Sequence, residues 1–501
     1  MKLFFRLVLL TLFIINIVLA SWYVLHGDIM FTSDIARDFH LLREVDQKKI
    51  MLIGPRSSGE LYHGPLWAYI NYPAYVIGRG NPVVVGWFWV LLALVSTLLS
   101  YLIGSRLFTK PVGIIYALMV SLYFTFHTRG MSHPHGAMIL IPLWFFYFIR
   151  YVQTKKMPFL AAHIILCGIL VELELALGIP LSILSFIAVS WLILRRRQYV
   201  HSVTFLLFPI VLSNFLIFDF RHDHLLFQKI LGFITPYQGG HVFDYTMFIE
   251  NRLFLLFTST EILRRDPGGR NIILFLVMLL FMRVQLRDRK YSVMYFSFLY
   301  FYVGFFLLSF IDKGPILYVH LYPLFLLVFL IFCSFADSRY KKIFLFLFIA
   351  LYAMNLTSSI GDVQDAAGYI GQHKYSWKFL EATARKVFSG PEKEFGYFVY
   401  SPDILGYDPK YAMFYMSTRY KDKKVYSFKK MPVTYVVAAP HPPADPFMLD
   451  SWWRIHQVRI DKDPEQKIEF DNGYKIEKYS LTPQEQQVYF DPAIDPGLHF
   501  R

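Results

Sequence analysis

Long apolar runs recur along the first two thirds of the chain. A helix needs about 20 apolar residues to cross the hydrocarbon core of a bilayer. Runs of that order predict eleven membrane-spanning helices, at about 3–25, 82–105, 112–127, 134–150, 158–177, 179–194, 201–220, 271–286, 291–311, 315–335 and 341–357. The chain is therefore predicted to be an α-helical polytopic membrane protein.

Composition agrees with this prediction. The 501 residues are 55% hydrophobic and 17% charged, whereas soluble domains carry roughly 25% charged residues. These values exclude a disordered chain and a collagen-like one. The two cysteines, Cys167 and Cys333, both lie in apolar runs, so we expect them to pack as small hydrophobic side chains rather than to form a disulfide scaffold.

The Lys and Arg residues of the short loops set the orientation. With the N-terminus inside, the loops on the cytoplasmic side carry fifteen of them and the opposite short loops carry two. The net charge of +14 is then a property of cytoplasmic loops, and no nucleic-acid partner is predicted. We expect a multi-pass protein of the cell membrane with a cytoplasmic N-terminus.

That orientation divides the chain into two predicted domains. Residues 1–357 form a transmembrane domain with outer loops at 27–81 and 221–270. Residues 358–501, rich in Pro, Gly and charge, form an extracytoplasmic α/β domain. Its predicted helices are 376–388 and 410–418, and its predicted strands are 395–400, 433–439, 453–460, 466–470 and 474–479.

Ionisable side chains gather near the predicted outer surface, whereas the cytoplasmic loops are almost purely basic. Such groups in or beside membrane spans are costly and tend to mark function. The site is therefore predicted to face outward, and its candidates are Asp34, Asp38, Arg56, His63, His133, His135, Glu172, Glu174, Arg221, His222 and His320.

Several candidates also have a structural explanation. Asp34 and Asp38 share a helix face and could be solvated loop charge, and Arg221 with His222 could reach lipid headgroups from the end of a span. His-x-His spacing is weak support for a metal site. Two glutamates in an apolar helix, in contrast, require a cation, a basic partner or a polar cavity.

An outward carboxylate beside cations at membrane level suits group transfer from a lipid-phosphate donor. The donor resides in the bilayer, its leaving phosphate needs Arg, Lys or His, and the acceptor hydroxyl needs a general base such as Asp or Glu. No Gly-rich phosphate loop, zinc-protease helix pattern or nucleophile elbow is visible.

Four stretches resemble motifs of one known family: SDIARD at 33–38, LYHGPLWAY at 61–69, FDFRH at 218–222 and HLYP at 320–323. Together they resemble membrane glycosyltransferases of the GT-C fold, in the clan of protein O-mannosyltransferases and bacterial undecaprenyl-phosphate aminoarabinose transferases. The resemblance covers about residues 1–335.

The resemblance implies an inverting glycosyltransferase that moves a sugar from a polyprenyl-phosphate donor to an extracytoplasmic glycan, lipid or protein. It implies Asp34 as base or acceptor-positioning residue, and the second carboxylate falls on Asp38 or on a fifth-span glutamate, for which we favour Glu174. The predicted donor-phosphate ligands are Arg56, His63, Arg221 and His222, and the other cavity residues are His133, His135, Glu172 and His320.

Two points remain open. The usual acidic residue of the second outer loop is replaced by His133 and His135, so no metal ligand is assigned and a divalent cation stays an option. A transporter or flippase is one alternative function, although it predicts repeated halves and midplane charges. An O-antigen polymerase or ligase is the other, although it gives no reason for an acidic motif after the first span.

Overall fold

The computed structural model describes residues 2–57, 61–234, 245–264, 266, 269–286, 291–311, 316–403, 405–441 and 449–495. Within these ranges the helices are α1 (Lys2–Ala20), α2 (Trp22–Leu25), α3 (Ser33–Lys48), α4 (Leu66–Ile77), α5 (Pro82–Leu107), α6 (Lys110–His127), α7 (His133–Thr154), α8 (Met157–Leu173), α9 (Leu175–Arg196), α10 (Leu207–Val211), α11 (Ser213–Arg221), α12 (Leu225–Ile234), α13 (Tyr245–Thr258), α14 (Arg270–Leu286), α15 (Ser292–Ser309), α16 (Tyr322–Ser334), α17 (Lys341–Ala367), α18 (Trp377–Phe388), α19 (Tyr407–Arg419), α20 (Asp450–Trp453) and α21 (Pro483–Gln487). The strands are β1 (Glu394–Tyr400), β2 (Lys424–Ser427), β3 (Val433–Ala438), β4 (Gln466–Glu469) and β5 (Lys475–Ser480).

Several of these helices can cross a membrane. By length and composition six of the described helices qualify: Pro82–Leu107, His133–Thr154, Leu175–Arg196, Ser292–Ser309, Tyr318–Asp337 and Lys341–Ala367. A seventh is the pair Tyr199–Val211 and Ser213–Arg221, which bends by 52°. Two shorter apolar helices cover Arg6–Ala20 and Met157–Leu173. The protein is a multi-pass membrane protein with a small C-terminal sheet, as predicted, and the number of eleven spans stays a prediction.

The chain divides into two compact units. The first, unit 1, contains Met1–Ser21, Ile50–Ile70 and Phe88–Val363. The second, unit 2, contains Trp22–Lys49, Asn71–Trp87 and Gln364–Arg501. The domain boundary predicted at residue 358 stays a prediction.

Helix α16 lies in the interior of unit 1. All its residues from Pro323 to Ser334 are buried, and it packs against α6 and α7. The unit also buries a polar network, because Asn16 donates to Ser121 Oγ at 2.8 Å and accepts from the Tyr352 hydroxyl at 3.1 Å. These bonds satisfy the one amide of α1 and link α1 to α6 and α17.

One predicted span is interrupted. The apolar run at 158–177 predicts a continuous helix, but α8 ends at Leu173 and α9 begins at Leu175. Between them Glu174 is extended, with φ −151° and ψ 100°, and its carboxylate accepts from the Ala176 N–H as the N-cap of α9. The prediction that Glu172 and Glu174 lie in one continuous helix is therefore wrong, because Glu172 belongs to α8 and Glu174 is the extended residue at the break.

Unit 2 contains a five-stranded sheet in the order β2-β1-β3-β5-β4. The first three strands of that order are parallel, and β5 runs antiparallel to both β3 and β4. Helices α18 and α19 pack against each other, and α3 packs on α19. The predicted strand at 453–460 is wrong, because Arg454–Val458 is a π-helical turn that continues α20, and β2 was not predicted.

Candidate active site

The loop before α4 places His63 by backbone hydrogen bonds in unit 1. The His63 carbonyl accepts from Gly54 N at 2.7 Å, and its N–H donates to the Pro55 carbonyl at 2.9 Å. The next residue, Gly64, donates its N–H to the Glu172 carbonyl at 2.8 Å. A Cβ on Gly64 would lie 1.7 Å from Glu172 Oε2 and 3.0 Å from Glu172 Cα, so any larger residue would displace the Glu172 carboxylate. The His-Gly-Pro sequence thereby joins the loop to the end of α8.

Three buried side chains of unit 1 converge: His63, His133 and Glu174. One ligand atom from each lies within 4.8 Å of the others. The His63 and His133 rings have centroids 4.0 Å apart, and His133 Nε2 is 3.6 Å from Glu174 Oε2. All three were sequence candidates, and the structure brings them together from the first outer loop, the start of α7 and the α8–α9 break.

The two carboxylate oxygens of Glu174 have different environments. One oxygen, Oε1, accepts from the Ala176 N–H at 3.2 Å. The other, Oε2, is buried and accepts no hydrogen bond from the residues that the structure describes, while His133 approaches it. Glu172 is also buried, and its carboxylate interacts with the Asn214 side chain and the Leu66 backbone. Glu174 therefore presents an oxygen that a proton or a cation could occupy.

A second pair of histidines lies beside this cluster. His135 Nε2 and His127 Nδ1 are 3.0 Å apart, and both rings are buried. Tyr322 packs on both of them, with ring centroids 4.7 Å from His127 and 5.5 Å from His135. Tyr123 packs on His127 with centroids 4.5 Å apart. The candidate His135 thus faces a polar and aromatic interior rather than His133.

Tyr123, which packs on His127, also lines a cavity of unit 1. Its walls are mostly apolar, and its polar lining includes Glu261, Arg264 and Ser359. Arg264 forms an ion pair with Asp362 and donates to Ser359 Oγ at 3.0 Å. Its apolar and aromatic lining comprises Met119, Leu122, Tyr123, Phe329, Phe332, Phe348, Leu351 and Tyr352.

Glu261 has an unusual environment in this cavity. Burial raises the pKa of its carboxyl to about 7, although the Arg264 charge opposes the shift. Its φ of 46° is in the left-handed region, which a non-glycine residue seldom adopts outside strained or functional positions. Sequence reasoning singled out neither Glu261 nor Arg264. The available signal was a short charged segment between two apolar helices, at 261–266.

The acidic motif lies in unit 2, on α3. Arg37 bridges the two aspartates, with Nη1 3.2 Å from Asp34 Oδ1 and Nη2 3.9 Å from Asp38 Oδ1. The Asp34 side chain is 73% exposed, whereas Asp38 is buried. The two carboxylates therefore share one guanidinium but differ in access.

The remaining candidates also lie in unit 1, where Tyr62, the bridge partner of Arg56, packs on Phe218 with ring centroids 5.7 Å apart. Arg221 and His222 are exposed at the end of α11, and the His222 ring stacks on Phe218 at 4.0 Å. Arg56 is half-buried in an isolated bridge with Tyr62. His320 is half-buried in the turn Tyr318–Leu321. Their predicted roles stay predictions.

The fold is similar to that of ArnT from Cupriavidus metallidurans in the apo state, with TM-score 0.59 and 11% identity over 94% of this chain and 97% of that chain. ArnT bound to undecaprenyl phosphate matches with TM-score 0.59 and 10% identity over 95% and 98%. The Archaeoglobus fulgidus oligosaccharyltransferase in complex with Zn and sulfate matches with TM-score 0.45 and 12% identity over 85% and 68%. No family model and no curated protein matches the chain. The chain therefore has the GT-C fold of membrane glycosyltransferases such as ArnT, which confirms the resemblance seen in its sequence.

Proposed function

We propose that the protein is an inverting glycosyltransferase that transfers a sugar from a polyprenyl-phosphate donor to an extracytoplasmic acceptor. The observation that carries the proposal is the cavity of unit 1, which combines an apolar and aromatic lining with the Arg264 guanidinium. A lipid with an anionic headgroup matches both features. The similarity in fold to ArnT bound to undecaprenyl phosphate supports this class of ligand.

Arg264 is the proposed phosphate ligand. A guanidinium presents several N–H donors in a fixed plane and suits phosphate better than an ammonium. Here it is anchored by Asp362 and Ser359, so part of its hydrogen-bonding capacity is already used to fix its direction. A phosphate arriving from the cavity would find a preorganised cation, which is how leaving-group charge is stabilised in transfer reactions.

One base must abstract a proton from the acceptor, and we propose two alternative carboxylates for this role. Asp34 is exposed on α3 and retains the role that the family resemblance implies. Glu261 lies in the cavity with a pKa of about 7, which is suitable for a base working near neutral pH. The orientation of the protein, with unit 2 outside the cytoplasm, follows from the Lys and Arg distribution in the short loops and belongs to the same proposal.

The test uses the full-length protein in lipid nanodiscs, with a panel of radiolabelled polyprenyl-phosphate sugars and a membrane extract as acceptor source. Wild type should release polyprenyl phosphate and label an acceptor. Arg264→Gln should lose donor binding, whereas Arg385→Gln, a change at an exposed arginine of α18, should keep it. Movement of the intact donor across the bilayer without bond cleavage would instead make the protein a flippase.

Asp34 has a matched control on its own helix. Asp46 is also an exposed aspartate of α3, with 53% of its side chain accessible. Asp34→Asn should lower kcat by a factor on the order of 10²–10⁴, the usual contribution of a general base, and Asp46→Asn should not. Equal activity of the two variants would transfer the role to Glu261 or Asp38.

We further propose a divalent cation at the cluster of His63, His133 and Glu174. Two imidazoles and one carboxylate form a donor set that suits Zn²⁺, and the Glu174 Oε2 atom is available for it. A cation bound there would supply a fixed positive charge at the outer end of α8. Metal analysis of the purified protein should find zinc, and His133→Ala should remove it while His222→Ala does not. Retention of metal in His133→Ala would contradict this site.

A further inference from the structure

Asp28 lies in the short connection between the first span and α3, and it is completely buried. Its Oδ1 accepts from the N–H groups of Ile29 at 2.8 Å and Lys378 at 3.0 Å. Its Oδ2 accepts from Gly371 N at 3.2 Å and from Ser376 Oγ at 2.5 Å. Three of these four donors belong to a segment about 350 residues later in the chain.

The contacts are those of a helix cap supplied from a distance. Ser376 is the N-cap of α18 and accepts from Phe379 N. The Lys378 N–H belongs to the first turn of α18 and has no partner within the helix, so the Asp28 carboxylate satisfies it. A carboxylate at this place also interacts favourably with the helix dipole. Asp28 and Ser376 therefore cap α18 together.

The backbone reinforces the attachment. Residues 29–31 pair with 375–377 in an antiparallel arrangement, in which Phe31 N donates to the Tyr375 carbonyl at 2.6 Å and Trp377 N donates to the Ile29 carbonyl at 3.1 Å. The segment that leads into α3 is thus held as a short strand against the start of α18.

Further along, α3 docks on α19 by one face. The Phe39 ring lies 5.3 Å from the Tyr411 ring, His40 Nε2 is 3.1 Å from the Tyr407 carbonyl, and the Arg43 guanidinium lies 3.9 Å above the Phe414 ring. The exposed Asp34 side chain is left free of this interface. The direction in which α3 presents it is therefore determined by residues of the C-terminal α/β part of unit 2.

We propose that Asp28 is a positioning residue for sugar transfer, because its capping of α18 holds the segment that orients α3 and its acidic motif. This inference rests on the proposed function and adds a role for the C-terminal part of the chain: it aligns the motif in addition to any contact with acceptor. Asp28 itself touches no reacting group in this scheme.

The test compares Asp28→Ala and the milder Asp28→Asn with Asp491→Ala in the full-length protein. Asp491 is a matched control, because it caps another helical turn of unit 2 through the Ala493 N–H. Displacement of a reacting group by about 1 Å can cost on the order of 10²-fold in rate. We therefore expect kcat to fall by a factor on the order of 10–100 in Asp28→Ala, with little change in KM for the donor, and to stay at the wild-type value in Asp491→Ala.

Hydrogen exchange gives a readout that does not depend on activity. In Asp28→Ala the amides of α3 should lose protection while those of β1 and β3 keep it. If wild type transfers no sugar, the proposed function has failed, and the exchange data still decide whether Asp28 orients α3. Unchanged protection of α3 would overturn the inference, and if Asp28→Ala does not fold, Asp28→Asn carries the comparison.

An engineered disulfide tests whether a covalent link can replace the cap and restore activity to Asp28→Ala. Met30 and Ser376 face each other as a non-hydrogen-bonded antiparallel pair, whose Cα atoms are typically about 4.5 Å apart and within disulfide range. Met30→Cys with Ser376→Cys, added to Asp28→Ala, should recover kcat on oxidation and lose it on reduction. Loss of activity that oxidation fails to restore, with the disulfide formed, would also refute the positioning role.

Discussion

Replacement of Gly64 by alanine tests the join between the His63 loop and the end of α8. The new Cβ would lie 1.7 Å from Glu172 Oε2, 2.4 Å from its Cδ and 3.0 Å from its Cα. Contacts to a real Cβ below 3.0 Å essentially do not occur, so the carboxylate must move by more than 1 Å. The movement would strain the hydrogen bond from Gly64 N to the Glu172 carbonyl.

The expected cost follows from these two effects. Overpacking a buried site costs about 1–3 kcal/mol, and a lost hydrogen bond adds about 1 kcal/mol. We therefore expect Gly64→Ala to lower the free energy of unfolding by about 2–4 kcal/mol. Because Glu172 lies two residues before Glu174, turnover should also fall, by a factor on the order of 10² for a shift of this size.

The chain offers its own probe and control. Cys167 and Cys333 are free and buried, so a thiol-reactive dye reports unfolding of the helices that contain them. Gly361→Ala is the control, since its added Cβ would meet no atom of the described residues within 4 Å outside its own helix backbone. Alanine in a helix interior stabilises by roughly 0.5–1 kcal/mol relative to glycine. Thermal unfolding of Gly64→Ala at the wild-type temperature, with full activity, would refute the proposed close contact.

Three further predictions concern polar groups elsewhere. Asn16→Leu should reduce thermal stability in the dye assay by about 1–2 kcal/mol, because it removes bonds to Ser121 and Tyr352. Burial raises the pKa of Asp408 to about 8, so the folded state holds its proton more tightly than the unfolded chain. The contribution of this proton to the free energy of unfolding is complete below pH 4 and is lost as the pH rises toward 8. Asp408→Asn should therefore make the free energy of unfolding, measured by chemical denaturation, depend less on pH between 4 and 8. If Glu261 is the base, the rate should rise with pH through about 7, and Glu261→Gln should remove that limb from the pH–kcat curve.

The membrane-spanning character of the chain was predictable because it depends on local composition. Runs of apolar residues identify spans wherever the lipid is the solvent. Six predicted runs each fall within one helix of the structure: 82–105, 112–127, 134–150, 179–194, 271–286 and 341–357. The break at Glu174 was not predictable in this way. No proline or glycine marks that position, and the extended backbone there is stabilised by the capping bond to Ala176 and by its neighbours in space.

The candidate site, too, was predictable only in the features that depend on local sequence. His63, His133 and Glu174 were each identified as costly polar residues near an outer surface, but their convergence depends on three separate segments of unit 1. Arg264 was missed because its partners, Ser359 and Asp362, lie about 95 residues later in an apolar helix. Pairings of this kind are long-range in sequence and carry no periodic signal.

The cap that Asp28 supplies to α18 has a consequence for biosynthesis. Unit 2 is assembled from Trp22–Lys49, Asn71–Trp87 and Gln364–Arg501, so its first strand-like segment emerges from the ribosome long before its partner. Until the last third of the chain has been made, the Asp28 carboxylate has only the Ile29 N–H among its four donors. The segment leading into α3 is thus fixed only when the C-terminal segment has been translocated. A chain truncated before residue 371 would insert its spans, but the start of α3 would lack its contacts to α18.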